Sequence, residues 1–170
     1  MKKINLLKSI LDLFWFTSIL ALIGLVVFVV LFLTTSNEMF PIIIKSKVIE
    51  KVDVYSKILI VAQLLAAFLF LGSIYYLRKL VVCFQNGQVF SEEVIQYLRK
   101  MGNLLITYSV LSNASLFIYN MIVRQNVDFE FGIGSYDSFL VCISIGLFFL
   151  VLSEVFSISK NLKEENDLTI

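Results

Sequence analysis

The sequence contains no histidine. That absence removes the usual general base near neutral pH and the commonest metal ligand. Cysteine is nearly as scarce, with only Cys83 and Cys142. No C-x-x-C pair can be written, so neither a zinc site nor a thiol-redox motif is encoded. Both cysteines read as small apolar packing residues. Charged side chains make up 16% of the chain, against about 25% in a soluble domain. The net charge of +1 points to no direct nucleic-acid partner. There is no glycine-rich phosphate loop, no H-E-x-x-H and no G-x-S-x-G. No apolar segment carries the repeated charges of an ion pump or a voltage sensor. The expectation is a non-enzymatic chain without metal or cofactor.

What the chain does have is long apolar runs. Hydrophobic residues are 59% of the total, and they concentrate at residues 14–33, 58–77, 104–123 and 139–158. Each run covers about 20 residues, which at a helical rise of ~1.5 Å spans a hydrocarbon core of ~30 Å. Segments facing lipid must satisfy their own backbone hydrogen bonds, so these runs are expected to be helices. The alternating segments of about ten residues that a barrel needs are missing. The first run follows Lys2, Lys3 and Lys8, as a signal peptide would. It exceeds a signal core of ~7–15 residues and no A-x-A site follows, so it reads as a retained helix. The length suits a single membrane domain over residues 1–170.

Lysine and arginine set the expected orientation. Nine of them lie in the N-terminal segment, the connection between the second and third runs, and the tail at 159–170, against five in the other two loops. The positive-inside rule then puts both termini in the cytoplasm. The first external loop, residues 34–57, carries a β-branched stretch from Ile42 to Val54 that mixes charge with aliphatics from Lys45 on. Extended structure is expected there. The third loop, residues 124–138, carries Asp128, Glu130, Asp137, Gly132 and Gly134 and reads as an acidic turn region.

On the cytoplasmic side, Asn86-Gly87 is a turn dipeptide. Ser91 before Glu92 and Glu93 suits a helix N-cap with acidic residues in the first turn. Val94, Ile95, Leu98 and Met101 then fall on one side, which predicts a short amphipathic helix leading into the third run. It would serve either as a docking surface or as an interfacial helix facing anionic lipid. Glu154 is the one ionisable residue inside a run, about a turn from its cytoplasmic end. Its structural reading is an ion pair, with Arg78, Lys79, Arg99 and Lys100 at the same level on other helices, or a carboxylate snorkelling to the interface; its functional reading is a proton or ligand site. Small and polar residues recur at Thr17, Ala21 and Gly24. The other three runs share one spacing: Ala62, Ala66 and Ser73; Ser109, Asn113 and Asn120; Cys142, Gly146 and Ser153. Such faces let membrane helices approach closely. Gln63 and Asn113 are expected to bond each other near mid-membrane.

The pattern Gly87-x-x-Phe90-Ser91, followed by Leu98-Arg99-x-x-Gly102, resembles the YoaS-like family of small bacterial membrane proteins, a domain of unknown function. So does the ending Glu154-Val155-Phe156, then Leu162-x-Glu164-Glu165-x-Asp167-Leu168-Thr169. Ser157 and Ser159 depart from it, standing where a basic residue and a glycine would be, which weakens a phosphate- or lipid-contact reading of that turn. The resemblance implies a four-helix protein of the bacterial inner membrane, encoded beside a small helix-turn-helix regulator that it holds or releases.

The combined expectation is an all-α, integral membrane four-helix bundle with both ends inside, a short extended external loop and an amphipathic cytoplasmic helix. Its partners are the lipid bilayer and a small helix-turn-helix transcription factor, with a homo-oligomer as a further option. The partner-binding candidates are Gly87, Phe90, Ser91, Arg99, Glu154, Leu162, Glu164, Glu165, Asp167 and Leu168. Two alternatives stand beside this reading. One is a small transporter or accessory subunit with Glu154 as its coupling carboxylate. The other is an immunity-type protein working through its external loops.

Overall fold

A computed structural model describes residues 2–34, 42–44, 47–49, 53–124 and 139–168 of the chain. Four long helices dominate: α1 (Lys2–Thr34), α2 (Val54–Gln85), α3 (Glu92–Tyr119) and α4 (Phe139–Leu168). A π-helical turn at Asn120–Arg124 follows α3. All four helices are long and apolar enough to cross a membrane, the architecture of a multi-pass membrane protein. Two short strands, β1 (Ile42–Ile44) and β2 (Lys47–Ile49), pair antiparallel with Ile43 opposite Val48. Extended structure was expected in this loop, and its β-branched content suits it. The acidic turn expected at residues 128–137 lies outside the described residues.

The helices outrun the apolar runs, and they do so mostly at one end. Residues 2–13, 78–85, 92–103 and 159–168 all continue a helix past its run. About ten extra residues per helix add roughly 15 Å, so the helices continue past their apolar runs at the end that carries both termini. The separate amphipathic helix expected over Glu92 to Met101 is therefore not a separate element. It is the first three turns of α3, with no break before the span. Its apolar face is not turned to headgroups either. Val94, Leu98 and Met101 are buried with Leu80 and Cys83 of α2, and Phe149, Leu152 and Phe156 of α4 pack on that cluster. A neighbouring helix within reach buries those side chains more completely than an interface could.

Local chemistry fixes the helix ends. Asp53 and Ser56 form a reciprocal capping box at the start of α2. Gly87 takes φ +75° just after α2, where a side chain would be strained. Its amide donates to Phe84 O at 3.2 Å and that of Gln88 to Cys83 O at 3.0 Å, closing the helix. Ser91 then caps α3, accepting from the Val94 amide, with Glu92 and Glu93 in the first turn as expected.

Helices pack in chain order: α1 on α2, α2 on α3, α3 on α4. No interface of comparable extent joins α1 to α4 among the described residues, so the array is open rather than a closed four-sided bundle. The middle helices bury more of their spans than the outer two. The small-residue faces of α2, α3 and α4 point inward as expected, with Ala66, Ser73, Ser109, Asn120, Gly146 and Ser153 buried. That of α1 does not: Thr17, Ala21 and Gly24 are exposed, and Asp12, Trp15, Val29 and Phe32 provide its contacts instead. The closest crossing is between α3 and α4, where a Cβ on Gly102 would lie 2.7 Å from Gly146 O.

Candidate functional site

At the termini-bearing end, two clusters of side chains gather where the helices leave the apolar runs. The first lies along α1, α2 and α3. The Arg78 guanidinium binds the Asp12 carboxylate, with Nε–Oδ1 at 2.7 Å, and stacks 5.4 Å over the Trp15 ring. Trp15 meets Tyr75 at 5.7 Å, Tyr75 meets Tyr76 at 5.4 Å, and Tyr76 meets Tyr97 of α3 at 5.9 Å. Two ammonium groups sit on this ring cluster. Lys79 Nζ is 4.8 Å from the Tyr75 centroid and 5.6 Å from that of Tyr97. Lys100 Nζ is 5.4 Å from that of Tyr76. Aromatic rings at the edge of an apolar run, with cations on their faces, form a membrane-interface belt.

The second cluster joins the α2–α3 turn to the end of α4. Phe156 packs between Phe84 at 6.4 Å and Phe90 at 5.7 Å. One turn further along α4, Lys160 Nζ donates to Glu92 Oε2 at 2.9 Å and lies 3.7 Å from Glu164. Both charged partners are past the apolar runs. The hydrogen bond and charge of Lys160 hold the Glu92 carboxyl below its usual range, and Glu92 in turn holds Lys160 above its own.

The candidates named from the sequence divide accordingly. Gly87, Phe90 and Ser91 form the turn, and Phe90 is 46% exposed despite its contact with Phe156. Leu162 is 55% exposed, and Glu165 is exposed beside it on the helical extension. Glu164 contributes to the Lys160 group. Arg99 is exposed. Asp167 and Leu168 continue the α4 backbone, and their side chains lie outside the described residues. Glu154 is also exposed and makes no ion pair with any described residue. Of its two structural readings, the ion pair is not formed with a described residue, because α4 turns this carboxylate outward while Ser153 beside it is buried; the exposure suits a carboxylate that reaches for the interface. Among the described residues, the carboxylates that do pair are Asp12, Glu92 and Glu164.

The polar contact expected within the membrane is also redistributed. Gln63 Nε2 donates to Ser112 O at 2.9 Å and to Ser115 Oγ at 2.8 Å, and Ser112 Oγ donates back to Gln63 Oε1 at 3.0 Å. Asn113 donates to Ser109 O of its own helix instead. A serine can supply the same partners from a position one residue nearer the seam. Gln63 also borders a cavity of about 500 Å³ between α1, α2 and α3, walled by Leu22, Phe28, Phe70, Leu71 and Tyr108.

Asp12 and the aromatic row were missed from sequence. The signal was present: an isolated carboxylate just ahead of the first run, and Trp15, Tyr75, Tyr76 and Tyr97 all at run ends on the basic side. No curated protein and no solved structure shows a significant match to the chain. Residues 31–170 match the family described as Protein of unknown function (DUF2975), and the chain belongs to that family.

Proposed function

We propose that this member of a membrane family of unknown function is a non-enzymatic regulator, and that it binds a small helix-turn-helix transcription factor at the termini-bearing end. The observation that supports the reading is the junction of Phe90 with Phe156 and of Glu92 with Lys160. It joins the two stretches that carry the YoaS-like resemblance, 87–102 and 154–170, into one surface. Apart from residues 154–158 that surface lies beyond the apolar runs, yet it exposes Phe90 and Leu162 among charged residues. An apolar centre with a polar rim is what a protein partner needs. The lysine and arginine distribution argues that this end is cytoplasmic, where a DNA-binding partner would be met. The class of partner comes from the resemblance alone.

The test is co-purification in mild detergent from the native cells, with the regulator expressed. The full chain should retain the regulator. A chain lacking residues 162–170 should insert in the membrane normally and lose it. Retention after the deletion would remove the end of α4 from the reading. Failure of the full chain to retain an expressed regulator would reject the reading as a whole.

A further inference from the structure

The cluster on the other side of this end has two properties that point to a ligand. First, Lys79 and Lys100 are cations without a carboxylate partner among the described residues, while Arg78 is neutralised by Asp12 and Lys160 by Glu92. Their ammonium groups are held over Tyr75, Tyr76 and Tyr97 at the edge of the apolar runs, the level at which phosphate headgroups lie. Second, the cavity of about 500 Å³ lies between the same three helices, within their apolar runs. Its wall begins one turn beyond the Trp15–Tyr75 pair, at Ser18 and Leu71. Leu71 and Phe70 form the near edge of a recess that runs on to Ile60; Leu71 is eight residues before Lys79 along α2, about 12 Å of helix, so this near edge is within the ~15 Å depth of one leaflet. Cationic seats at headgroup level and an apolar recess one chain-length below them match a lipid with an anionic head.

We infer that the α1–α2–α3 groove seats an anionic phospholipid, its phosphate on Lys79 and Lys100 and an acyl chain in the recess lined by Leu71 and Phe70. The preference is set by charge at the headgroup, since the recess itself takes any chain. A lysine near an anionic headgroup is worth about fivefold in affinity, and two such contacts set the upper end of the effect.

Trp15 is the only tryptophan in the chain, and it stands between the lysines and the recess, which makes its fluorescence a reporter of the lipid in the groove. The full-length protein is reconstituted in vesicles of phosphatidylcholine. Brominated-chain phosphatidylglycerol or brominated-chain phosphatidylcholine is then added at equal mole fraction. The expected result is quenching of Trp15 that corresponds to an about fivefold or greater preference for phosphatidylglycerol. The preference should vanish in K79Q/K100Q and survive in K79R/K100R. Equal quenching by the two lipids in the wild type would overturn the inference without recourse to any variant. A preference that persists in a folded K79Q/K100Q would also overturn it. Loss of the wild-type preference on adding millimolar inorganic phosphate would reassign the seat to a soluble anion. Persistence of the preference under phosphate supports the lipid.

Discussion

The α3–α4 seam and the α1–α2 seam solve the same problem in opposite ways. At α3–α4, Gly102 and Gly146 face each other so closely that neither has room for a Cβ, and backbones make the contact. At α1–α2, Gly24 lies off the seam on an exposed face, and the helices are held at their ends by Asp12–Arg78 and Trp15–Tyr75 on one side and by Val29, Phe32, Leu59 and Ile60 on the other. A cavity remains between. Lipid offers no hydrophobic incentive for helices to associate, so close packing or polar contacts must supply it. Where glycines allow close approach the seam is filled. Where larger groups hold the helices apart at the ends, the middle stays available to a ligand.

The sharpest way to break this contrast is to add bulk at both seams. Gly102→Leu or Gly146→Leu should separate α4 from α3 and cost about 1–3 kcal/mol or more, read as a lower unfolding midpoint in mixed detergent micelles. Ala67→Leu, which adds bulk at the cavity between α1 and α2, should leave the midpoint almost unchanged. Equal losses at the two seams would mean that the α3–α4 contact is not the tighter one.

A smaller effect is expected from the hydrogen bonds that tie α2 to α3. Gln63→Leu removes all its contacts to Ser112 and Ser115 and should cost about 1 kcal/mol, while Asn113→Leu, which breaks a bond within α3, should cost less. The same micelle assay orders them, and the reverse order would restore Asn113 as the cross-helix group.

The smallest effect belongs to the exposed pair Glu92–Lys160. Glu92 is held below its ordinary range, so its pairing contributes above the usual glutamate value of about 4.3 and fades as the pH falls through the lowered one. Lys160→Met should flatten that acid dependence of the α4 end slightly, seen as amide exchange in residues 159–166, with the global midpoint unmoved. A large shift in the midpoint would show that the pair holds the array together.

Much of the fold was legible because the bilayer constrains it. Apolar run length alone located all four spans, and Ser91 with Glu92 and Glu93 gave the start of α3 correctly. The rest depended on neighbours. Hydropathy stops at Leu77, yet α2 continues to Gln85, because Leu80 and Cys83 find partners on α3 that no run-length argument contains. The same cause turned the expected interfacial helix into part of α3. The spacing of small residues identified the inward faces of three helices and failed for α1, which has a single extensive neighbour and presents little of its surface to it. For the candidate site, the two stretches were visible as motifs, but their junction through Phe90, Phe156, Glu92 and Lys160 rests on contacts between residues 66 and 68 apart in the chain. Periodicity carries no information at that range. Glu154 misled because an acidic residue in an apolar run draws attention whichever way it faces.

The most direct test of the proposed regulator surface is site-specific photo-crosslinking in the native cells. A photoreactive residue replaces Leu162 at the termini-bearing end or, as the comparison, Ile122 in the π-helical turn after α3 at the opposite end. The account predicts that Leu162 captures one small helix-turn-helix protein and Ile122 does not. Capture at Leu162 of lipid or of further copies of the same chain alone, with the regulator present in the cell, would contradict it.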